Sequence, residues 1–295
     1  MLTSGSATGS RPIAASAASP RSAHITTLTG GSFRLPPANQ CSTITEAQTM
    51  KLEPIDFEEY GGRHYSIGEQ LLPSVTTVLA ATRPAADTEA LRQWAEQIGA
   101  EQAEAIRSAA EERGTRLHTL IERRLSGQVV EQLDAEQVAV LPWWSSVLPV
   151  LSRIQSVHFL EHTVHHPHFC YAGSLDLVAS VGTGDGHPEE DERLVLIDWK
   201  SSGKAKQRAW LGDYPLQLAA YWHALQVNQP NSCTEGWIVV AHPLGTAQVH
   251  RFYRADLERA WFEWLARLEH FWSLFPQHPL SAQGRQAIRE GKSRF

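Results

Sequence analysis

Two aspartates and one lysine stand in otherwise apolar stretches between residues 171 and 200. Side chains alternate between the two faces of a strand, so Asp198 and Lys200 are expected to share one face. Asp176 lies in an earlier apolar stretch, and residues 184–188 can reverse the chain so that Asp176 comes beside Asp198. Close carboxylates repel each other unless a cation joins them, and hard divalent cations prefer oxygen ligands. The pattern therefore predicts a site for Mg2+ or Mn2+.

A predicted helix supplies a second pair of polar side chains in the stretch Arg-Gly-Thr-Arg-Leu-His-Thr-Leu-Ile-Glu. His118 and Glu122 are four residues apart and therefore lie on one helical face. The imidazole can ligate a metal, and the carboxylate can ligate it, hold a bound water or orient the histidine. The alternative, a helix with a partly buried histidine and a solvated glutamate, stays open on these two residues alone.

A third pair, Gln217 and Tyr221, lies in an otherwise apolar helical stretch. An amide and a phenol four residues apart can point together at a metal-bound water and a phosphate oxygen. Each can equally fill a polar gap in a core. We keep both interpretations.

These motifs occur in a fixed order: Gly-Thr-x-x-His-x-x-x-Glu, Gly-Ser-Leu-Asp, Ile-Asp-Trp-Lys and Gln-x-x-x-Tyr. The ordered set resembles the PD-(D/E)XK nuclease superfamily over about residues 60–275, and within it the RecB-like exonuclease branch, including its mitochondrial genome maintenance type. The resemblance implies an α/β, restriction-endonuclease-like fold, in which helices flank a mixed central sheet and a helical part lies N-terminal to it. A Ser174-Leu175-Asp176 sequence replaces the Pro-Asp that names the superfamily, which is usual in this branch.

The resemblance also implies roles for individual residues. The metal ligands are His118, Asp176 and Asp198, and the carbonyl of Trp199 can complete the metal shell. Glu122 is the weakest match of the catalytic set, which comprises Lys200, Asp198, Asp176, Gln217, Tyr221 and Glu122. The chain lacks the clustered cysteines of the iron-sulfur members, so we expect no iron-sulfur cluster.

Phosphodiester hydrolysis needs an activated water, neutralised phosphoryl oxygens and help for the leaving alkoxide. A metal supplies much of this, while Lys200 can orient the water, help to deprotonate it or balance charge. Phosphates of the nucleic-acid backbone are expected to contact the polar segment after Lys200 and two other stretches. The residues expected to make these contacts are Ser74, Thr76, Arg116, Ser201, Lys204, Lys206 and Arg208. For each cation, the alternative is a solvated surface residue. Trp210 and Tyr214 can stack on bases, although core packing is the stronger expectation.

Composition narrows the possible partners. The net charge of −6 disfavours a protein that wraps duplex nucleic acid, but it allows local phosphate contacts. The three cysteines are far apart, which argues against a disulfide framework or a zinc motif. No apolar run is long enough to span a bilayer, so we expect no membrane association.

The chain is expected to divide into three parts. Residues 1–49 are rich in Ser, Ala, Thr, Gly and Pro and should be disordered, residues 50–280 form the nuclease domain, and residues 281–295 form a mobile basic tail. Within the domain, Ser74 should cap a short helix, and Gly99 and Gly114 should bound helices. Strands are predicted at residues 157–165, 169–181, 194–200, 236–241 and 248–253, and helices at 88–126, 134–154, 211–227 and 256–275.

The sequence therefore predicts a metal-dependent DNA exonuclease that acts on single-stranded ends in repair or replication. The competing hypotheses are a nucleic-acid-binding protein on a degenerate nuclease fold and an endonuclease. A cytoplasmic location is expected. The alternatives are an organellar location, with residues 1–49 as a transit peptide, and a native start at Met50.

Overall fold

A computed structural model describes most of the chain, namely residues 50–128, 135–182, 193–229 and 233–292. Two sequence predictions, the disorder of residues 1–49 and the reversal at residues 184–188, concern residues outside these ranges. In the described part, no helix is both long and apolar enough to cross a membrane.

A small antiparallel sheet opens the described chain, with strands β1 (Ile55–Phe57), β2 (Gly62–Ile67) and β3 (Gln70–Pro73). It leads into helix α1 (Val75–Ala81). The Ser74 hydroxyl accepts a hydrogen bond from the Thr77 amide at 3.0 Å, which satisfies a donor that the first helical turn leaves free. The predicted helix cap is confirmed.

Two helices follow, α2 (Ala85–Ile98) and α3 (Ala100–Leu125), and Gly99 separates them as predicted. Gly99 has a φ of 90°, a backbone conformation that an L-residue rarely adopts. The predicted boundary at Gly114 is wrong, because α3 continues through it. The next pair is α4 (Ala135–Ala139) and α5 (Leu141–Leu151). The expected break occurs before Pro142, whereas Pro149 is retained inside α5 near its end.

The central sheet has the order β4-β5-β6-β7-β8. All neighbours in it are antiparallel except β6 and β7, which are parallel and joined across helix α6 (Tyr214–Asn228). The strands are β4 (Ile154–His166), β5 (Tyr171–Val181), β6 (Arg193–Ser201), β7 (Glu235–Ala241) and β8 (Gln248–Tyr253). The predicted α/β fold with a mixed central sheet flanked by helices is confirmed.

The sheet separates two apolar cores, and strand β6 contributes to both. Leu196 packs with residues of α6 and α7 (Arg254–Leu274), while Ile197 and Trp199 pack with residues of α3 and α5 on the other side. Asp198 and Lys200 are in phase with Leu196, so they lie on the α6 side of the sheet, on one face as predicted.

The described part of the expected mobile tail, Ser281–Lys292, is helical. Residues Ser281–Lys292 form helix α8, which buries Ala287 and Ile288 in the core next to α7. Gly284 lies against the Trp272 indole, where a side chain would collide with the ring. Arg285 and Arg289 are exposed on the outer side of this helix, and the apolar residues between them hold it on the core.

Candidate active site

Three carboxylates lie side by side on neighbouring strands. Leu160 pairs with Leu177 and His162 with Leu175, so Glu161 lies opposite Asp176. Continuing the β5–β6 register by one residue beyond Leu177 and Ile197 places Asp176 opposite Asp198. Asp176 Oδ2 accepts a hydrogen bond from the Trp199 amide at 2.8 Å, where the backbone ladder ends. The expected proximity of Asp176 and Asp198 is thus present in the structure.

His118 reaches this row from helix α3. Leu117 and Ile121 anchor the helix in the core against β6, which turns His118 towards the strand ends. Its Nδ1 lies 3.7 Å from Oε1 of Glu161 and 3.7 Å from Oδ1 of Asp176. Ligand atoms of these three residues all lie within 4.8 Å of one another, which is compact enough to hold one metal ion.

Sequence reasoning missed Glu161. It lies in a histidine-rich strand, where an acid among polar residues resembles an ordinary surface residue. Its φ of 48° is uncommon for a residue other than glycine, and such strain is concentrated at functional sites. Only the pairing of β4 with β5 brings it to the site, and no motif spacing encodes that pairing.

Glu122 does not join this group, contrary to its predicted catalytic role. Its carboxylate lies 3.4 Å from the Lys51 ammonium, and both side chains are largely exposed. Glu122 lies one helical turn after His118, beyond the strand ends. The acid next to His118 is therefore Glu161.

Asp198 and Lys200 form a buried ion pair in which Nζ lies 2.7 Å from Oδ2. Neither Asp198 oxygen has a hydrogen-bond partner of good geometry among the described residues. The contact with Lys200 is therefore an attraction between opposite charges at short distance. A buried carboxylate in this state retains unused capacity for a cation. The chemistry of this donor set, carboxylate oxygens with one imidazole, fits a hard divalent ion.

Gln217 and Tyr221 hold the lysine rather than facing outward. Lys200 donates to Oε1 of Gln217 at 3.1 Å, and the Gln217 amide donates to the Tyr221 hydroxyl at 3.1 Å. Both residues come from helix α6, the crossover between β6 and β7. Gln217 and Tyr221 therefore lie at the site, where their contacts position Lys200.

The carbonyl of Trp199 faces the site while its indole is buried on the opposite side of the sheet. His118 Nε2 lies 3.0 Å from this oxygen, a distance that fits an N–H donating to the carbonyl. Such a hydrogen bond leaves Nδ1, which faces the carboxylates, as the nitrogen available to a metal. The carbonyl then orients the histidine.

Burial and charge shift the ionisation of the site. Burial raises the pKa of Asp198 to about 6, although Lys200 opposes this change, and burial also raises the pKa of Asp176. For His118, burial lowers the pKa, but the charges of Asp176 and Glu161 outweigh it and raise the pKa to about 9. Burial likewise lowers the pKa of Lys200, and Asp198 and Asp176 raise it above its usual value. Crowded negative charge thus favours cations here.

The predicted phosphate-binding residues fall into two groups. Ser74 is buried and its hydroxyl caps α1, and Thr76 lies against it with 3.0 Å between their hydroxyl oxygens. Arg116 lies 3.3 Å from Glu112 on its own helix, and Arg208 donates to the Arg251 carbonyl at 2.6 Å. These contacts occupy groups that were expected to meet phosphate.

The second group is the segment that follows Lys200. Ser201 Oγ accepts from Arg113 Nε at 3.3 Å, and Lys204 is exposed. The Lys206 ammonium lies 5.1 Å from the centre of the Tyr214 ring. This segment is continuous with the site and carries the cations Lys204 and Lys206.

Fold and site together agree with the resemblance to PD-(D/E)XK nucleases that the motifs carry. Two curated relatives confirm the resemblance. Each is named "Mitochondrial genome maintenance exonuclease 1". The chain is 32% identical to the Xenopus tropicalis protein over 210 residues and 32% identical to the Mus musculus protein over 209 residues. Either alignment covers 68% of this chain, but the chain spans only 57% and 59% of the length of those relatives.

Other comparisons add little. No family profile matches the chain. A proposed exonuclease of known structure from Eubacterium rectale overlaps 59% of this chain and 68% of its own, with 11% identity and a TM-score of 0.35. That similarity is too low to define a shared fold.

Proposed function

We propose that this protein is a metal-dependent deoxyribonuclease that hydrolyses phosphodiester bonds from single-stranded DNA ends. One observation carries the proposal: His118, Glu161 and Asp176 converge beside a buried Asp198–Lys200 pair. A binding protein needs neither a buried carboxylate at this position nor a lysine fixed against it. The names of the two relatives further support an exonuclease.

In this proposal, His118, Glu161, Asp176 and Asp198 hold Mg2+ or Mn2+. When bound, the ion supplies Lewis-acid stabilisation of phosphoryl oxygens and lowers the pKa of water. The raised pKa values of the two aspartates describe a site in which protons compete with that ion for the carboxylates.

Lys200 provides the fixed positive charge. Its raised pKa keeps the group an ammonium, so it can donate a hydrogen bond to a developing negative oxygen. Gln217 accepts one of its hydrogens and is itself held by Tyr221, which limits the directions that the ammonium can take.

A decisive assay uses end-labelled linear single-stranded DNA with titrated Mg2+ or Mn2+. We expect the wild-type protein to shorten the strand from an end, and a chelator to stop the reaction. Asp198→Ala and Lys200→Ala should abolish activity while circular dichroism stays unchanged. If activity survives either change, the assignment of the site is wrong.

The same assay separates the competing functions. Circular single-stranded DNA should remain intact with an exonuclease, and its cleavage would indicate an endonuclease. A protein that binds DNA but never cleaves it would be a degenerate nuclease. An RNA strand of the same sequence tests the preference for DNA, which rests on the names of the relatives.

A role in genome repair or replication is part of the proposal, and the word "mitochondrial" in the names of the relatives supports the organellar alternative. Fusion of residues 1–49 to a fluorescent protein tests this location. Mitochondrial import of the fusion would support it, and a diffuse cytoplasmic signal would favour the cytoplasmic alternative.

A further inference from the structure

The aromatic ring of Tyr214 contacts two lysines with different surroundings. The Lys200 ammonium lies 4.9 Å from the ring centre and the Lys206 ammonium lies 5.1 Å from it. Tyr214 is the first residue of α6, one helical turn before Gln217. The two ammonium groups are thus no more than about 10 Å apart.

For Lys200, the ring adds a third contact to the two polar ones. The ammonium also meets Asp198 and donates to Gln217. A cation within about 6 Å of a tyrosine ring is attracted by the ring quadrupole, and burial strengthens the attraction. Three contacts from different directions fix the ammonium more tightly than Asp198 alone.

For Lys206, the ring is the main restraint on the ammonium. Among the described residues, no carboxylate lies within ion-pair distance of Lys206, so no acid in this part of the chain neutralises its charge. Its backbone amide is held by Gln248. A cation that is located by a ring but not neutralised by an acid is well suited to bind an anion.

We propose that Tyr214 is a positioning residue that holds Lys200 beside the reacting phosphate and Lys206 beside a neighbouring phosphate of the same strand. The inference rests on the proposed nuclease function and deepens it. It also differs from the expectation that Tyr214 stacks on bases or merely fills the core. The ring, rather than the hydroxyl, performs this role.

Steady-state hydrolysis of a labelled single strand tests the role of the ring. Tyr214→Phe keeps the ring and should stay within about twofold of wild type in kcat and KM. Tyr214→Leu should lower kcat at least tenfold and raise KM severalfold, because both lysines lose a contact. Tyr214→Met serves as a second variant if the leucine variant unfolds.

A double-mutant cycle separates the two lysines. In a Lys206→Ala background, Tyr214→Leu should raise KM no further but should still lower kcat. Lys204→Ala is the matched comparison, because Lys204 lies in the same segment and has no such contact with any ring in the described ranges. Its effect on KM should add independently to that of Tyr214→Leu.

Binding of single-stranded DNA, measured by fluorescence anisotropy with Ca2+, provides a readout without hydrolysis. Tyr214→Leu and Lys206→Ala should weaken binding by similar factors, and the double variant by no more than either. Wild-type kinetics in the leucine and methionine variants would overturn the inference, as would a phenylalanine variant as damaged as the leucine one. An inactive wild-type protein would instead refute the nuclease function, while the anisotropy cycle would still test Tyr214 and Lys206.

Discussion

At the scale of single residues, Gly173 determines where Tyr221 can lie. A Cβ atom at Gly173 would come 2.5 Å from Cε1 of Tyr221, so the ring rests directly on the strand backbone. Gly173→Ala should displace Tyr221, loosen the Gln217 contact to Lys200 and lower kcat. The overpacking should also reduce the free energy of unfolding by about 1 to 3 kcal/mol. Urea denaturation and hydrolysis rates measure both effects.

Gly203→Ala is the control for stability, because a Cβ there meets nothing within 4 Å. We expect its free energy of unfolding to stay within about 0.5 kcal/mol of wild type. A Gly173→Ala protein with unchanged stability and kcat would show that Tyr221 can occupy another position without loss.

Two glutamates allow a matched test of the metal site. Glu161→Gln should lower Mn2+ affinity at least tenfold, because it removes a charged oxygen from the three-residue group. Glu122→Gln should change affinity less than about twofold, since that carboxylate faces Lys51 in an exposed pair. Isothermal titration calorimetry measures both. Equal losses in the two variants would restore Glu122 to the site and contradict the geometry.

At the scale of elements, helix α3 shows that a glycine need not end a helix. Gly114 lies inside α3, and a Cβ there would only touch Ser201 Oγ at an ordinary 3.8 Å. Gly114→Ala should therefore raise the free energy of unfolding by about 0.5 to 1 kcal/mol, because alanine favours the helix.

Gly99→Ala is the opposite case, because φ is 90° at that position. We expect it to lower the free energy of unfolding by about 1 kcal/mol or more. Thermal unfolding of both variants measures the contrast, and destabilisation by Gly114→Ala would contradict the continuous helix.

Helices and strands could be predicted from the sequence wherever the apolar pattern extended over a long stretch. Strand β6 contains a continuous apolar run, Leu194–Ile197, so it was predicted at 194–200 and is observed at Arg193–Ser201. The shared face of Asp198 and Lys200 followed from their spacing of two residues. Helix α8 was missed because its buried apolar residues, Ala287 and Ile288, are few and lie between basic ones, a pattern that also suits a solvated tail. Glu161 was missed for a different reason, since the register between β4 and β5, which places it opposite Asp176, leaves no motif in the sequence.

At the scale of the whole molecule, the site depends on both cores. His118 comes from a helix packed on one side of the sheet, and Gln217 from a helix packed on the other. Arg267 on α7 fixes the start of α6, since it forms two hydrogen bonds with Asp213 and one with the Leu79 carbonyl. The geometry of Lys200 is therefore a property of the assembled fold, which explains why motif spacing could suggest its partners but not their contacts.

Stability of the whole fold should fall in mild acid, and His223 allows a clean test. Burial lowers the pKa of His223 to about 4, and its ring stacks on Trp261 with 3.8 Å between ring centres. Below the usual pKa of about 6.5, the unfolded chain gains a proton that the folded protein resists. The contribution of neutral His223 to the stability of the fold is thus fully present above pH 6.5 and is lost as pH falls towards 4.

His223→Phe retains a stacking ring and removes the titrating group. The free energy of unfolding of the variant minus that of wild type should therefore be about 1 to 2 kcal/mol higher at pH 5 than at pH 8, because only the wild type loses stability in acid. Comparing the same two proteins at both pH values cancels the opposing titrations of Asp198 and His118, which the variants share. Urea denaturation at each pH provides the four free energies. An equal difference between the proteins at pH 5 and pH 8 would mean that His223 is protonated in the folded state as readily as in the unfolded one.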